Sequence, residues 1–366
     1  MAKADFRAVI LAGGSGERFW PLSTPERPKQ FLRVFGGESL IRQAVTRLGG
    51  LVAPEDVFVV TAKNLVAATR KELPEVPKDN VVGEPMRRDT GAAVALGVGL
   101  AGGDADPVVG FFSSDQMVAN PKAFRKAVAK AVAIARRKAA IVTIGIKPGY
   151  PATCFGYISP KTRAFVEKPD EKKARSYVKA GYLWNAGMFI ARASTFRGAF
   201  AAHAPELECL AKIGMAQSSK RAALLLGHPL SGQPSAGGYR RSAPADASHK
   251  PRTTPNLSRI YQPLPKISFD YAVMEKTKNV EVVPGDFGWD DVGSFAAFDR
   301  YFPHDSRGNV REGPCTVVEA DGNICVARSA RISLLGVKNL VVVTTPDAVL
   351  VADKSRISEM KTLFKP

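Results

Sequence analysis

The first half of the chain alternates short apolar runs with longer stretches in which apolar residues recur every three or four positions. Short runs rich in β-branched residues are typical of buried strands, and the longer spacing is typical of amphipathic helices. The pattern predicts strands over residues 8–11, 57–61, 80–83, 107–113 and 140–146. It predicts helices over residues 39–48, 64–72, 90–100 and 120–138.

The helix over 120–138 carries the clearest signals. Asn120 is a good N-cap, and Pro121 suits the first helical position. Its apolar residues fall on one face: Phe124, Val128, Val132 and Ala135. Alternation of such helices with strands is typical of an α/β protein with a mostly parallel sheet, in which ligands bind beyond the carboxyl ends of the strands.

The pattern changes after residue 309. Short β-type runs separated by Gly, Asn and Asp turns predict strands over 315–319, 323–327, 332–335, 340–343 and 348–351. A closing helix is predicted over 355–363. We therefore expect a larger domain over 1–304 and a small all-β domain over 305–366.

Composition limits the class of protein. The chain has 366 residues, 45% of them apolar, which suits a folded protein of about two domains. No apolar run reaches the roughly 18 residues of a membrane span, and the N-terminus lacks the apolar core of a secretion signal. The four cysteines show no metal-binding spacing and are expected to be free thiols. These features favour a cytoplasmic protein without a membrane partner.

The net charge of +18 favours polyanionic ligands. Residues 215–262 contribute seven Lys and Arg against one Asp, and residues 229–265 are rich in Ser, Pro, Gly and Ala, which predicts a flexible basic loop. A nucleic-acid-binding tail is the alternative interpretation. It is disfavoured because no aromatic stacking residues alternate with the basic ones.

The segment LAGGSGERFWPLSTPERPKQF, residues 11–31, follows the first predicted strand. Its glycines let backbone N–H groups approach a polyphosphate, and Arg18 and Lys29 add positive charge. It lacks the Gly-Lys-Ser/Thr of a P-loop and the third glycine of the dinucleotide-binding motif. A glycine-rich turn without a ligand is the simpler alternative.

Two aspartates are candidate metal ligands. Asp115 follows the strand 107–113, and Asp291 lies in the segment FGWDDVGSF. Mg²⁺ typically takes one or two protein carboxylates together with phosphates and water. Turn or helix-cap aspartates are the alternative.

Two further segments contain polar groups near apolar runs. FVEKPDE places Glu167 beside Lys168, which suits a sugar hydroxyl and a phosphate, although an exposed loop end would look the same. YLWNAGMF places Asn185 and Gly187 among apolar residues, where the amide needs a partner. That partner is either a ligand hydroxyl or a backbone carbonyl.

Taken together, these segments resemble the sugar-phosphate nucleotidyltransferase family, and within it the mannose-1-phosphate guanylyltransferases. The resemblance runs in the family's order over residues 8–295 through LAGGSGERFWPLS, PKQF, EPMRRDTGAA, FFSSDQ, FGYI, FVEKPD, WNAGMF, SFDYAVMEK and GWDDVGS. It implies a Rossmann-like, mixed and mostly parallel sheet, with a small β-helix-like C-terminal domain. The cupin-type isomerase domain of longer relatives is not implied, and a homodimer is plausible.

The resemblance also implies a reaction. Mannose 1-phosphate would attack the α-phosphate of GTP in line, with Mg²⁺, to give GDP-mannose and pyrophosphate. Arg18 would stabilise the triphosphate and the leaving pyrophosphate, Lys29 would contact the α-phosphate region, and Lys168 would hold the sugar phosphate. The metal ligands would be Asp115 and Asp291.

The remaining implied contacts fall into two sets. Those to the nucleotide are Leu11, Ala12, Gly13, Gly14, Gly16, Glu84, Asp89, Thr90 and Gly91. Those to the sugar are Gly156, Glu167, Asn185, Gly187 and Asp270.

The chain departs from the common family pattern at a few positions. Gln116 stands where His is frequent, Asp89 where Asn is usual, and Cys154 with Phe155 where a Gly-Tyr pair is usual. Asp89 bears on the choice of base, because its charge could favour the guanine donors or alter the selection. Alternatives are a nucleotidyltransferase for another sugar or base, such as glucose 1-phosphate with UTP or dTTP, and a polyanion-binding or sensing protein that retains the fold.

Overall fold

The computed structural model describes residues 5–14, 16–103, 105–213 and 257–364. Its larger part is a mixed sheet with helices on both faces. The strands of this part are β1 (Phe6–Ala12), β2 (Val57–Ala62), β3 (Val81–Glu84), β4 (Val108–Ser113), β5 (Met117–Val118), β6 (Ile141–Ile146), β7 (Tyr157–Ile158), β8 (Phe165–Val166), β9 (Leu183–Arg192), β10 (Val280–Gly285) and β11 (Trp289–Asp290).

The main sheet has the order β10-β6-β9-β4-β1-β2-β3. Only β9 runs antiparallel to its neighbours on this path, β4 and β6. The other neighbours are parallel, so β1 to β4 end at one edge of the sheet. Strand β7 extends the sheet from β9, and β8 pairs with β7. The predicted mixed, mostly parallel sheet is confirmed.

The helices are α1 (Leu40–Thr46), α2 (Val66–Glu72), α3 (Asp89–Gly102), α4 (Pro121–Arg137), α5 (Glu171–Lys179), α6 (Ala193–His203), α7 (Pro205–Ala211), α8 (Leu257–Tyr261) and α9 (Phe298–Tyr301). Asn120 caps α4 as predicted, because its side chain accepts from the Ala123 N–H. Helices α1 and α4 pack on one face of the sheet, and α3, α6 and α7 pack on the other.

Short helical turns complete the larger part. The 3₁₀ segments are Glu17–Phe19, Lys29–Phe31, Pro54–Asp56, Lys63–Leu65, Lys78–Asn80 and Phe295–Ala297, and Asp270–Met274 is a π-helical turn. The helix predicted near the end of the chain is a 3₁₀ helix, Lys354–Phe364.

The C-terminal strands are β12 (Val310–Glu312), β13 (Cys315–Val318), β14 (Ile324–Ala327), β15 (Ile332–Leu335), β16 (Leu340–Thr344) and β17 (Val349–Asp353). Strands β12, β14 and β16 stack in parallel, as do β13 and β15. Two asparagines connect the successive turns: Asn309 Oδ1 accepts from the Asn323 N–H, and Asn323 Oδ1 accepts from the Leu340 N–H. This stacking confirms the predicted β-helix-like fold.

The C-terminal strands share a core with the segment that follows β1. Phe19, Leu32 and Phe35 of that segment are buried together with Phe298 and Val326. Burial of these side chains removes apolar surface of the segment and of the C-terminal strands from water, which stabilises their contact. The β domain therefore supports the glycine-rich segment directly.

The prediction of a loop over residues 229–265 is wrong at its C-terminal end. Residues 257–261 form α8, in which Leu257 and Tyr261 are buried. These residues are four positions apart and therefore lie on one helix face. The rest of that predicted loop, up to residue 256, lies outside the described residues.

The cysteines and the helices of the structure bear on two expectations from the composition. All four cysteines are free thiols. Among the helices that the structure describes, none combines the length and apolar character needed to cross a membrane.

Candidate active site

Asp115 and Asp291 are brought together by a small antiparallel ribbon. Asp115 lies between β4 and β5, and β5 pairs with β11 so that Asp290 faces Met117. Asp291 follows β11 directly. Lys29 contacts both: its Nζ donates to Asp115 Oδ2 at 3.0 Å and to the Asp291 carbonyl at 2.8 Å. The two candidate metal ligands therefore belong to one cluster.

The position of Lys29 depends on Gly16. Lys29 is only 6% exposed, and its backbone passes close to the glycine-rich turn. Gly16 has φ +65°, and a Cβ there would lie 2.4 Å from the Lys29 backbone nitrogen. No side chain fits at that distance, and the left-handed conformation disfavours other residues. The turn thus requires glycine for a packing reason.

The two carboxylates have opposite pKa shifts. Burial acts to raise the pKa of Asp115, but the Lys29 charge and the Ser113 hydroxyl, which donates to Oδ1 at 2.5 Å, outweigh it and lower the pKa. Burial raises the pKa of Asp291; the Lys29 charge opposes this effect, and the Asp115 charge adds to it. Within the described residues the Asp291 carboxylate accepts no hydrogen bond and forms no ion pair.

This acidic pair fits a hard divalent cation. Carboxylate oxygens are its preferred protein ligands, and a partly buried carboxylate without a partner is stabilised when a cation binds to it. The described part of the chain contains no group of three or more His, Cys, Asp or Glu residues that could hold a metal. A cation on Asp115 and Asp291 would therefore complete its coordination with substrate oxygens and water.

Arg18 projects near the same carboxylates. It lies in a single helical turn that Gly16 starts and buried Phe19 anchors. Arg18 Nη1 and Asp291 Oδ2 lie 3.4 and 3.2 Å from the point that a Cβ on Gly293 would occupy. Its guanidinium has no hydrogen-bond or ion-pair partner among the residues that the structure describes. An exposed cation is thus available beside the acidic pair.

A cavity of about 500 Å³ opens between the ends of β1, β2 and β3. Its lining residues are Gly13, Ala62, Lys63, Asn64, Glu84, Pro85, Met86 and Arg87. Glu84 Oε2 lies 3.4 Å from the point that a Cβ on Gly13 would occupy, so this carboxylate oxygen lies next to Gly13 at the cavity wall. The structure therefore brings together two of the predicted nucleotide contacts, Gly13 and Glu84.

Glu84 is the ionisable group of this cavity and is 9% exposed. The Tyr261 hydroxyl donates to its Oε1 at 3.1 Å. Burial raises the pKa of Glu84 to about 7; the Tyr261 hydrogen bond opposes the rise, and the Asp89 charge adds to it. Its protonation state is therefore sensitive to what binds next to it.

The predicted contacts Asp89, Thr90 and Gly91 do not line the cavity as the described residues define it. Asp89 has φ +64°, and its Oδ1 accepts from the Thr90 N–H at 2.7 Å. Thr90 Oγ1 accepts from the Phe269 N–H, and the Gly91 N–H donates to the Ile267 carbonyl. Thr90 and Gly91 thus connect α3 to the segment before Asp270.

Leu11 and Ala12 contribute carbonyl groups that hold neighbouring strands. The Leu11 carbonyl accepts from the Ser114 N–H at 3.1 Å. The Ala12 carbonyl accepts from Gln30 Nε2 at 2.9 Å and from Thr61 Oγ1 at 3.0 Å. Their carbonyls thus fix the strand end from which the glycine-rich segment departs. Gly14, in contrast, is exposed with open space around its Cα.

The predicted sugar contacts form a second cluster. Asn185 Nδ2 donates to Asp270 Oδ1 at 2.9 Å. The Asn185 Oδ1 atom accepts from Thr143 Oγ1 and from the Gly187 N–H, each at 3.1 Å. A Cβ on Gly156 would lie 2.5 Å from Glu167 Oε2. Asn185 therefore has backbone and side-chain partners in place, and Gly156 leaves room for the Glu167 carboxylate.

Glu167 shifts the pKa values of two other ionisable groups in this cluster, Lys168 and Asp270. Lys168 Nζ lies 2.8 Å from Glu167 Oε1, and Lys168 has the strained φ of +45°. Burial acts to lower the pKa of Lys168, but the hydrogen bond and charge of Glu167 outweigh it and raise the pKa. Burial and the Glu167 charge raise the pKa of Asp270 to about 7. Backbone strain at such a residue is typical of functional sites.

Several site residues were not found from the sequence. Lys63 and Asn64 follow β2 directly, so the rule that ligands bind at carboxyl strand ends was a usable signal. Arg47 donates to the carbonyls of Ser113 and Gln116, on either side of Asp115, and gave no signal. Tyr261 lay in the segment predicted to be a loop.

Comparisons with known proteins agree with this architecture. Residues 7–307 match the family model described as Nucleotidyl transferase. Residues 313–365 match the model described as MannoseP isomerase/GMP-like beta-helix domain. Together the matches span most of the chain and separate the larger part from the C-terminal strands.

Curated relatives carry consistent names. A mannose-1-phosphate guanylyltransferase of Klebsiella pneumoniae is 34% identical over 372 residues, covering 96% of this chain and 72% of that protein. The enzyme of the same name from Escherichia coli K12 is 31% identical over 392 residues, covering 100% and 74%. The crystal structure of a mannose-1-phosphate geranyltransferase from Thermus thermophilus has a TM-score of 0.80 and 31% identity, covering 99% of this chain and 98% of that one.

Proposed function

The chain belongs to the nucleotidyl transferase family, and on that premise we propose that it makes GDP-mannose and pyrophosphate from GTP and mannose 1-phosphate. The observation that carries the proposal is the acidic pair Asp115 and Asp291, held by Lys29 and flanked by Arg18, which has no partner among the described residues. The cavity at Glu84 and the cluster at Asn185 and Asp270 provide further polar contacts.

The chemistry needs charge neutralisation more than proton transfer. The second phosphate pKa is about 6, so mannose 1-phosphate is already largely a dianion near neutral pH. Its oxygen forms a bond to the α-phosphorus of GTP, and the bond from that phosphorus to the oxygen bridging the α and β phosphates breaks. Pyrophosphate leaves with that bonding electron pair. Because the reactants are all anions, positioning and cations account for most of the rate.

The residues of the acidic cluster take distinct parts in this proposal. Arg18 would bind the triphosphate and stabilise the charge on the departing pyrophosphate. Lys29 would act at the α-phosphate while holding the Asp115 carboxylate and the Asp291 backbone carbonyl. Asp115 and Asp291 would bind a divalent cation, proposed to be Mg²⁺, which when bound neutralises phosphate charge. Gly13, Gly14 and Gly16 would leave the backbone N–H groups accessible to the phosphates.

The cavity at Glu84 would receive guanine. A carboxylate can accept from both N1–H and N2–H₂ of guanine, whereas adenine presents an acceptor at N1. On the sugar side, Glu167, Asn185 and Asp270 would contact hydroxyl groups of mannose, and Lys168 would bind its phosphate. Thr90 and Gly91 would support the nucleotide pocket through their contacts with the segment before Asp270, and Asp89 through its hydrogen bond to the Thr90 N–H.

A matrix of substrates tests the proposal. The purified protein with Mg²⁺ is incubated with GTP, ATP, UTP, CTP or dTTP, each with mannose, glucose or N-acetylglucosamine 1-phosphate, and pyrophosphate release is measured. We expect GTP with mannose 1-phosphate to give the highest kcat/KM. Turnover confined to another base or sugar would refute the substrate assignment, and no turnover with any pair would refute the reaction class.

Arg18→Gln supplies the residue-level test. Loss of a charge that stabilises the leaving group is expected to lower kcat by about 100-fold or more. Arg27→Gln is the matched control, because Arg27 is an exposed arginine in the same segment, outside the acidic cluster. Equal activities of the two variants would contradict the assignment of Arg18.

A further inference from the structure

The Glu84 carboxylate accepts a hydrogen bond from Tyr261, which is not one of the residues that line the cavity. The Tyr261 hydroxyl donates to Glu84 Oε1 at 3.1 Å, and Tyr261 is 0% exposed. The other oxygen, Oε2, faces Gly13 at the cavity. With the carboxylate in this rotation, Oε1 contacts Tyr261 and Oε2 faces the cavity.

Tyr261 itself is fixed to the wall of the cavity. Arg88 Nε donates to the Tyr261 carbonyl at 3.0 Å, and Arg88 Nη2 donates to the Gln262 carbonyl at 2.6 Å. The Ile267 N–H donates to the Arg88 carbonyl at 3.3 Å. Because Arg88 follows Glu84 closely in the chain, α8 and the cavity wall form one hydrogen-bonded unit.

In the hydrogen bond between Tyr261 and Glu84, the phenol stays the donor and the carboxylate stays the acceptor. Burial, together with the charge and hydrogen bond of Glu84, raises the pKa of the Tyr261 phenol far above neutral, so the phenol remains a donor. Its hydrogen bond in turn acts to lower the pKa of Glu84, against burial. Tyr261 thus favours the ionised form of Glu84, which has only acceptor atoms.

We propose that Tyr261 is a specificity-determining positioning residue, which orients the Glu84 carboxylate so that it accepts from N1–H and N2–H₂ of guanine. The inference rests on the proposed use of GTP. Without the hydroxyl, the carboxylate can rotate away and is protonated more readily, and a protonated oxygen would place a donor against a donor. Loss of the Tyr261 hydroxyl should therefore weaken recognition of the guanine edge and leave the chemical step largely intact.

The experiment compares GTP with inosine triphosphate, which lacks the 2-amino group. Steady-state kinetics with saturating mannose 1-phosphate give kcat and KM for both nucleotides. In Tyr261→Phe we expect KM for GTP to rise by about tenfold, the size expected for one hydrogen bond to a charged group. The preference for GTP over inosine triphosphate should fall several-fold, while kcat and KM for mannose 1-phosphate change by less than about twofold.

Tyr157→Phe is the matched control. Tyr157 is equally buried, and its hydroxyl donates to the Ala152 carbonyl at 2.9 Å, away from Glu84. It should keep the nucleotide preference of the wild type. Arg88→Met is a second variant, because it releases α8 from the cavity wall and leaves both Tyr261 and Glu84 in the chain. It should lower the same preference, and it decides the question if Tyr261→Phe does not fold.

A double-mutant cycle separates an action through Glu84 from a general structural effect. If Tyr261 acts through Glu84, Tyr261→Phe should have almost no further effect on KM for GTP in a Glu84→Ala background. An unchanged nucleotide preference in the folded variants, or full additivity in the cycle, overturns the role of Tyr261. A wild-type protein that does not prefer GTP would instead refute the proposed function.

Discussion

Lys29 donates from its ammonium group to Asp115 Oδ2 at 3.0 Å, which joins the glycine-rich segment to the end of β4. The same nitrogen donates to the carbonyl of Asp291, beyond β11. A single buried cation therefore connects three segments that are distant in the chain. In the proposed reaction, these contacts position the Asp115 carboxylate and the Asp291 backbone before any substrate arrives.

Lys29→Met is expected to lower kcat by about 100-fold or more, because it removes a preorganised cation from the reacting phosphates. It should also lower the free energy of unfolding, since Asp115 loses its ion-pair partner and Asp291 loses a neighbouring positive charge. Pyrophosphate release and urea unfolding measure the two effects. Lys130→Met, at an exposed position on α4, is the control for loss of a lysine charge. Retention of more than half of the wild-type kcat would contradict this role of Lys29.

Gly16→Ala tests the packing of the glycine-rich turn. The added Cβ would lie 2.4 Å from the Lys29 backbone nitrogen, at a φ of +65°. The left-handed conformation alone costs about 1 kcal/mol or more, and displacement of Lys29 should lower activity as well. Urea unfolding of Gly14→Ala is the matched comparison, because nothing lies within 4 Å of a Cβ at that glycine. Equal stability of the two variants would show that the turn tolerates the side chain.

Arg47→Met tests whether the position of Asp115 is set from α1. Arg47 is 5% exposed, and its guanidinium donates to the Gln116 carbonyl at 2.9 Å and to the Ser113 carbonyl at 3.2 Å. Removal of both hydrogen bonds should loosen the Asp115 segment and weaken cation binding. We expect the Mg²⁺ concentration for half-maximal turnover to rise about tenfold, because loss of a residue that orients a metal ligand typically weakens metal binding by about that factor.

The control for that experiment is Arg42→Met. Arg42 lies on α1, whose C-cap is Arg47, but it pairs with Glu75 away from the acidic cluster. Its loss should leave the Mg²⁺ dependence unchanged. If Arg47→Met lowers kcat at every Mg²⁺ concentration without moving the half-saturation point, Arg47 does not act through the cation site.

The sequence predicted most of the acidic cluster, because strand ends and glycine turns have local signals. Asp115 follows a clear strand, and Gly16 precedes an arginine and a lysine. The central antiparallel position of β9 has no such signal, since periodicity reports a strand but not its neighbours. The position of Asn185 in the site depends on that pairing.

Other features were not predicted from the sequence, because the conformational preference of the residue type opposes them. Val292 has φ +49° directly after Asp291, a conformation that β-branched residues disfavour. Its side chain is fully buried in the core shared with the β domain, which holds the strained backbone in place. Tyr261 was missed for a different reason: the composition of residues 229–265 predicts a loop, and the hydrogen bond from its hydroxyl to Glu84 is a tertiary contact without a local signal.

Asp270 makes the stability of the protein depend on pH. Burial and the Glu167 charge raise the pKa of Asp270 from 3.8 to about 7. Between these values the folded protein binds the proton more tightly than the unfolded chain does, so stability falls as pH rises from about 4 to 7. Asp270→Asn has no proton to lose, and its side-chain oxygen can still accept from Asn185. Urea unfolding at pH 5, 6, 7 and 8 should show a smaller decrease than in the wild type.

Asp170→Asn is the control for that dependence, because its shift has the opposite sign. Asp170 caps α5 by accepting from the Lys173 N–H, and this hydrogen bond lowers its pKa below 3.8. It is therefore ionised throughout the pH range tested, and its loss should shift the whole stability curve without changing its slope. Glu84, whose pKa burial also raises to about 7, keeps its own part of the slope in both variants. If Asp270→Asn and Asp170→Asn show the same slope, Asp270 is not protonated in the folded protein at pH 5.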